Sequence, residues 1–206
     1  MNATEALTRM SIRFDGWEVR DTRPPYSDDE FFNLCFQNPD LRIEQDVDGN
    51  TIVMAPVSFD SGNFESEFLG DLVIWNRKYK LGKTFSSATL FILPNGEKRM
   101  PDAAWIAHEK VDAMPAAERK QFAHIVPDFV AELRSPSDDL GELHTKMRDS
   151  WIGNGVQLAW LIDPLGQKAW VYRADATVET IEDFNQCLSG EQVLPGFELS
   201  LLRFIG

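Results

Sequence analysis

Residues 127–146, PDFVAELRSPSDDLGELHTK, read as a short strand, a proline-punctuated loop and the opening turns of an amphipathic helix. Alternate side chains of a strand share a face, so Phe129, Ala131 and Leu133 point one way while Val130, Glu132 and Arg134 point the other. One face is apolar; the other ends in a carboxylate and a guanidinium. The strand has to stop near Ser135, because Pro136 lacks a backbone N–H and biases its predecessor toward extended geometry. Ser137, Asp138 and Asp139 mark a helix start. Leu140, Leu143, Met147 and Trp151 follow at three- and four-residue spacings as one buried stripe, with Gly155 as the C-terminal stop. Lys146 lies beside that stripe and can lean back over the strand.

Upstream, Met100-Pro101-Asp102-Ala103-Ala104-Trp105-Ile106 places a second carboxylate at the start of another strand. If the two strands are neighbours, Asp102 and Glu132 converge on one hard cation, with Lys146 or Arg134 supplying positive charge beside it. A local role for Asp102, satisfying turn amides at a strand end, competes with this. Its place after proline and ahead of Ala-Ala-Trp-Ile favours the site.

Together these blocks resemble the PD-(D/E)XK restriction-endonuclease superfamily and, more closely, its Uma-two family. The matching residues are Pro101-Asp102, residues 127–132 with Ser135-Pro136-Ser137, Lys146, Gly155-Val156, and Trp160-Leu161-Ile162-Asp163-Pro164, within a span from Tyr26 to Gly196. A bare PD…ExK match is weak, whereas this ordered set is specific. The resemblance implies an α+β (α/β) fold, a mixed central sheet flanked by helices, in a single domain over residues 26–206 preceded by an arm over residues 1–25. It further implies Mg²⁺- or Mn²⁺-dependent hydrolysis of phosphodiester bonds, with DNA as partner and substrate. Asp102, Glu132 and, from the first long helix, Glu67 are then the metal ligands, and Lys146 the group that stabilises phosphoryl charge or orients water. Two departures stand out. Arg134 occupies the position two after Glu132, and a guanidinium stays protonated, so the lysine role passes to Lys146 on the following helix. A tyrosine of the family's pattern falls one residue before Trp151, which leaves the helix register open.

The chain of 206 residues is long enough to bury a real core. Its net charge of −13 argues against a broad nucleic-acid-binding surface, so any phosphate contact has to be local and assisted by a divalent cation. That acidity also favours the alternative of a catalytically inactive binding or dimeric interaction module on the same fold. Cys35 and Cys187 form no ligand pattern and read as buried thiols in a reducing compartment, the cytoplasm by default. No apolar run is long enough for a bilayer, so no membrane partner is expected. His108, His124 and His144 lack zinc-site spacing, and His144 lies close enough to Lys146 for a peripheral role.

Elsewhere, Ser27-Asp28-Asp29-Glu30 is a capping box ahead of a short helix. Asp48-Gly49-Asn50 turns a hairpin whose first strand carries Glu44, a position read either as the family's acidic residue or as a solvated one. Residues 62–80 form the best upstream helix, with Phe64, Phe68, Leu72, Trp75 and Tyr79 on one face. Glu67 and Asp71 sit four apart on its flank, and two like charges at that spacing ask for a reason. Lys98 and Arg99 flank a turn and are candidate phosphate contacts or solvated side chains. Residues 177–181 and 194–202 complete a sheet edge or form the contact of a homodimer, and the last segment, 199–205, is apolar enough to pack.

Overall fold

The computed structural model describes residues 25–205, together with the backbone of two short antiparallel strands ahead of them, β1 (Arg13–Phe14) and β2 (Trp17–Glu18). Most of the arm expected over residues 1–25 therefore lies outside the described residues. The chain divides into two compact units. One comprises Met1–Pro56, Leu90–Met100 and Ala116–Ile125; the other comprises Val57–Thr89, Pro101–Pro115 and Val126–Gly206.

In the first unit the capping box forms as its chemistry requires. Ser27 Oγ accepts from the Glu30 N–H, and the Glu30 carboxylate accepts from the Ser27 N–H at 3.0 Å, opening α1 (Asp28–Gln37). The hairpin β3 (Arg42–Gln45) and β4 (Thr51–Met54) turns through Gly49 at φ +83°, where a Cβ would lie 2.6 Å from the Pro25 ring. With β6 (Phe91–Ile92) and β7 (Lys98–Arg99) these strands form a sheet of order β4-β3-β7-β6. Tyr26, Phe31, Leu34, Ile43, Leu90, Ile92 and Met100 fill its core.

Lys98 and Arg99 are neither solvated nor offered to a phosphate. Both are buried. Lys98 Nζ reaches Gln45 Oε1 at 3.0 Å and Asp28 Oδ1 at 3.2 Å, while Arg99 is clasped between Glu44 and Glu97. Alternation explains this. Two adjacent basic residues on an interior strand must enter opposite faces, and each face supplies carboxyl or amide oxygens.

The second unit is built on a mixed six-stranded sheet of order β12-β11-β10-β9-β8-β5, which confirms the α+β class. Its strands are β5 (Gly82–Ser86), β8 (Ala103–Ala107), β9 (Phe129–Leu133), β10 (Leu158–Asp163), β11 (Lys168–Arg173) and β12 (Val178–Ile181). Only β9 and β10 run parallel, and the helical crossover after Ser135 joins them. The predicted alternation in β9 is present. Phe129, Ala131 and Leu133 join Leu158, Trp160 and Ile162 in one core, against Phe68, Leu72 and Trp75 of α2 (Phe59–Tyr79). That helix begins three residues earlier than its apolar stripe suggests, because Ser58 caps it by accepting from the Ser61 N–H at 3.2 Å.

The C-terminal segment closes the same core. After the pair β13 (Cys187–Ser189) and β14 (Glu198–Ser200), Leu199, Leu201 and Phe204 bury within their own unit. Both cysteines are free, but neither is fully buried. Cys187 is exposed because β13 turns Leu188 inward and its neighbours outward, and Cys35 is half-buried, its thiol pushed up to about 11 by burial. Among the described residues no helix is long and apolar enough to cross a membrane.

Candidate active site

Strands β8 and β9 are antiparallel neighbours with Ala103 opposite Ala131, so the register carried one residue further sets Asp102 against Glu132. Asp102 stands just ahead of β8, and its Oδ2 accepts from the Leu133 N–H at 2.7 Å. This carboxylate caps the end of β9 while remaining half-buried. The local reading of Asp102 is thus observed, since it satisfies a strand-end amide, and the strand register keeps the position compatible with the other.

Glu132 is buried on the face opposite the main core. Its Oε1 accepts from the Lys146 ammonium at 2.9 Å and from the Trp151 indole N–H at 2.8 Å. Lys146 is itself nearly buried, which strengthens the pair relative to a surface one.

The helix that delivers these donors is not uniform. Asp139 caps α3 (Leu140–Thr145) by accepting from the Glu142 N–H at 2.9 Å; a π-turn, Lys146–Trp151, follows, then a 3₁₀ turn, Ile152–Asn154, ending on Gly155 at φ +104°. A π-turn holds one residue more than an α-turn. The helix that carries Lys146 and Trp151 therefore changes from α to π geometry at Lys146. The π-turn packs against β10. Residues two apart on a helix leave on nearly opposite sides, so Lys146 reaches Glu132 on β9 while His144 reaches Tyr172 and Trp170 on β11.

His144 is therefore a latch on the side away from Glu132. Burial and the Arg148 guanidinium lower its pKa from 6.5, and burial pushes Tyr172 up to about 12, so a neutral imidazole and a protonated phenol share the hydrogen bond between Nδ1 and the Tyr172 hydroxyl. The unfolded chain then binds more protons than the folded one just below pH 6.5, and stability falls as pH drops from there toward the folded-state pKa. Urea midpoints should decline between about pH 7.5 and pH 5.5, and His144→Phe should flatten that decline. An equal slope in the variant would remove the latch.

Two predicted site residues are committed elsewhere. Glu67 is exposed and pairs with Arg203 at 3.2 Å, and Asp71 pairs with the same guanidinium at 3.0 Å. Arg203 is thus the reason for the two like charges, and Glu67 is not brought to Asp102 and Glu132. Arg134 donates to Asp163 Oδ2 at 2.9 Å, and Asp163 Oδ1 in turn holds the Leu165 and Gly166 N–H groups. Its guanidinium braces the turn after β10. Among the described residues no three carboxylate, histidine or cysteine side chains gather as a metal set. The sequence gives no local sign of Arg203 as a partner, whereas Trp151 stood in the helical stripe and was legible as a core residue only.

The sequence matches over residues 28–202 the family described as "Uma2: Putative restriction endonuclease". This chain belongs to the Uma2 family. The fold agrees. The crystal structure of a "putative nuclease belonging to DUF820" from Anabaena variabilis ATCC 29413 superposes with a TM-score of 0.72 at 21% identity, covering 87% of this chain and 97% of that one. No curated protein matches. The Uma2 assignment makes this a nuclease-like chain.

Proposed function

We propose that this Uma2 protein is a metal-dependent endonuclease that hydrolyses phosphodiester bonds of DNA, with Asp102 and Glu132 holding Mg²⁺ or Mn²⁺ and Lys146 stabilising negative charge on the phosphoryl group. One observation carries this reading: the register of neighbouring strands, carried one residue past Ala103 and Ala131, sets Asp102 opposite Glu132, with an ammonium 2.9 Å from Glu132. The donor set suits a hard cation of this kind. Mg²⁺ is commonly held by one or two carboxylates and completes its shell with water and substrate phosphate, whereas a zinc site would call for imidazole or thiolate ligands. When bound, such an ion lowers the pKa of a coordinated water and polarises the phosphate.

The residues of the chain supply the rest. The Leu133 N–H fixes the Asp102 carboxylate against β9. Lys146 offsets the charge of Glu132, and its flexible stem lets the ammonium pass to a phosphoryl oxygen when substrate arrives. Arg134 stays protonated, is tied to Asp163 and serves neither as base nor as the strand lysine.

The test is incubation of the protein with supercoiled plasmid, single-stranded DNA and RNA in Mg²⁺, Mn²⁺ or EDTA, with metal binding followed by calorimetry. We expect nicking of DNA in either metal and none in EDTA. Absence of both metal binding and cleavage would overturn the proposal. It would favour the second reading, a nuclease-fold binding or dimeric module, which the net charge of −13 and the closed Lys146–Glu132 pair support. Light scattering on the same samples reads whether the protein is a homodimer.

A further inference from the structure

We infer that Trp151 is a positioning residue for the Glu132–Lys146 pair, delivered there by the π-turn. In a regular α-helix residues five apart are rotated by about 140° from one another, too far for both to address one oxygen. The i to i+5 closure of a π-turn brings them onto one side. Here the two ends of that turn, Lys146 and Trp151, both donate to Glu132 Oε1, at 2.9 and 2.8 Å.

The two donors differ in kind. Lys146 is a charged head on a flexible stem. Trp151 is fully buried, neutral and rigid, and its indole is a donor only. A neutral donor holds the carboxylate without competing with a cation for its charge, and a packed ring cannot swing away when substrate or metal draws the ammonium off. Trp151 also touches the other member of the pair, since the Lys146 ammonium stands 5.8 Å from its ring centroid. The indole thus orients the carboxylate through its edge and guides the ammonium over its face. Such an outer partner is the kind of group whose loss lowers metal affinity without removing a ligand.

This inference rests on the proposed metal role of Glu132, so two readouts are needed. The first is independent of metal. The indole Hε1 resonance that disappears in Trp151→Phe is assigned in wild type and followed in Glu132→Gln, where it should move upfield and exchange faster as its acceptor weakens. The second is Mn²⁺ affinity by calorimetry. Trp151→Phe keeps an aromatic ring in the core, yet should bind Mn²⁺ about tenfold more weakly than wild type. An Hε1 signal indifferent to Glu132→Gln overturns the inference, and so does wild-type Mn²⁺ affinity in a folded Trp151→Phe protein. If wild type itself binds no Mn²⁺, the metal reading fails, and the indole resonance alone decides whether Trp151 holds Glu132. If Trp151→Phe does not fold, the same resonance in wild type and Glu132→Gln decides.

Discussion

Glu132→Gln and Asp102→Asn should each lower metal-dependent DNA cleavage by about 10³-fold or more, equivalent to roughly 4 kcal/mol of lost transition-state stabilisation. Both replacements are nearly isosteric. In Glu132→Gln the amide oxygen can still accept from Trp151, and in Asp102→Asn it can still accept from the Leu133 N–H, so the strand ends keep their shape. What disappears is the negative charge that a divalent cation needs, and the calorimetric Mn²⁺ signal should weaken with the rate. Glu67→Ala is the control that separates this geometry from a three-carboxylate site. Because Glu67 lies on an exposed helix flank with Arg203, its loss should leave cleavage within about twofold of wild type. Cleavage in Glu132→Gln within tenfold of wild type would remove Glu132 from the site. A collapse of activity in Glu67→Ala would show that the helix flank takes part after all.

The strands and their faces were legible because local rules and tertiary packing agree there. The alternation in residues 129–134 separates core from site, and the Pro101-Asp102 and Glu132 blocks sit at strand ends that turn out to be neighbours. Lys146 was legible because helical spacing places it beside a buried stripe. The sequence says least where a side chain's partner is far away along the chain. Nothing around Glu67 or Asp71 announces Arg203, more than 130 residues on, and nothing around Arg134 announces Asp163 across the crossover. A charge read as free for function was in each case free only locally. Trp151 failed differently. Its spacing marked it as core, and it is core, but only the change of helix type turns its N–H toward Glu132. The regular spacing of Leu143, Met147 and Trp151 carries no sign of that change, so the sequence pattern alone could not have found it.

Arg99→Met should destabilise the first unit by about 3–5 kcal/mol, because it removes one partner of a buried ion cluster and leaves two carboxylates behind. Arg99 donates to Glu97 Oε1 through Nε at 3.1 Å and Nη2 at 2.6 Å, and to Glu44 Oε2 through Nη1 at 3.1 Å. Burial works against its charge, but Glu44 and Glu97 more than offset that, and the net effect is to raise its pKa further. Glu44 also accepts from the Met100 N–H at 2.7 Å, so the cluster ties β3 to the end of β7, where register is set by a single residue pair, Gln45 with Lys98. With so short a ladder, side-chain ties carry more of the pairing than backbone bonds do. Methionine fills much of the arginine stem's volume, so the loss reports charge rather than cavity. Urea unfolding gives the magnitude, and amide exchange over residues 42–54 and 91–100 should show the loss concentrated there. The triple variant Glu44→Gln/Glu97→Gln/Arg99→Met, which removes all three charges together, should recover a large part of the stability, since the cost lies in the unpaired carboxylates. A loss below about 1 kcal/mol in Arg99→Met would mean that water already reaches the cluster and screens it as it would a surface pair.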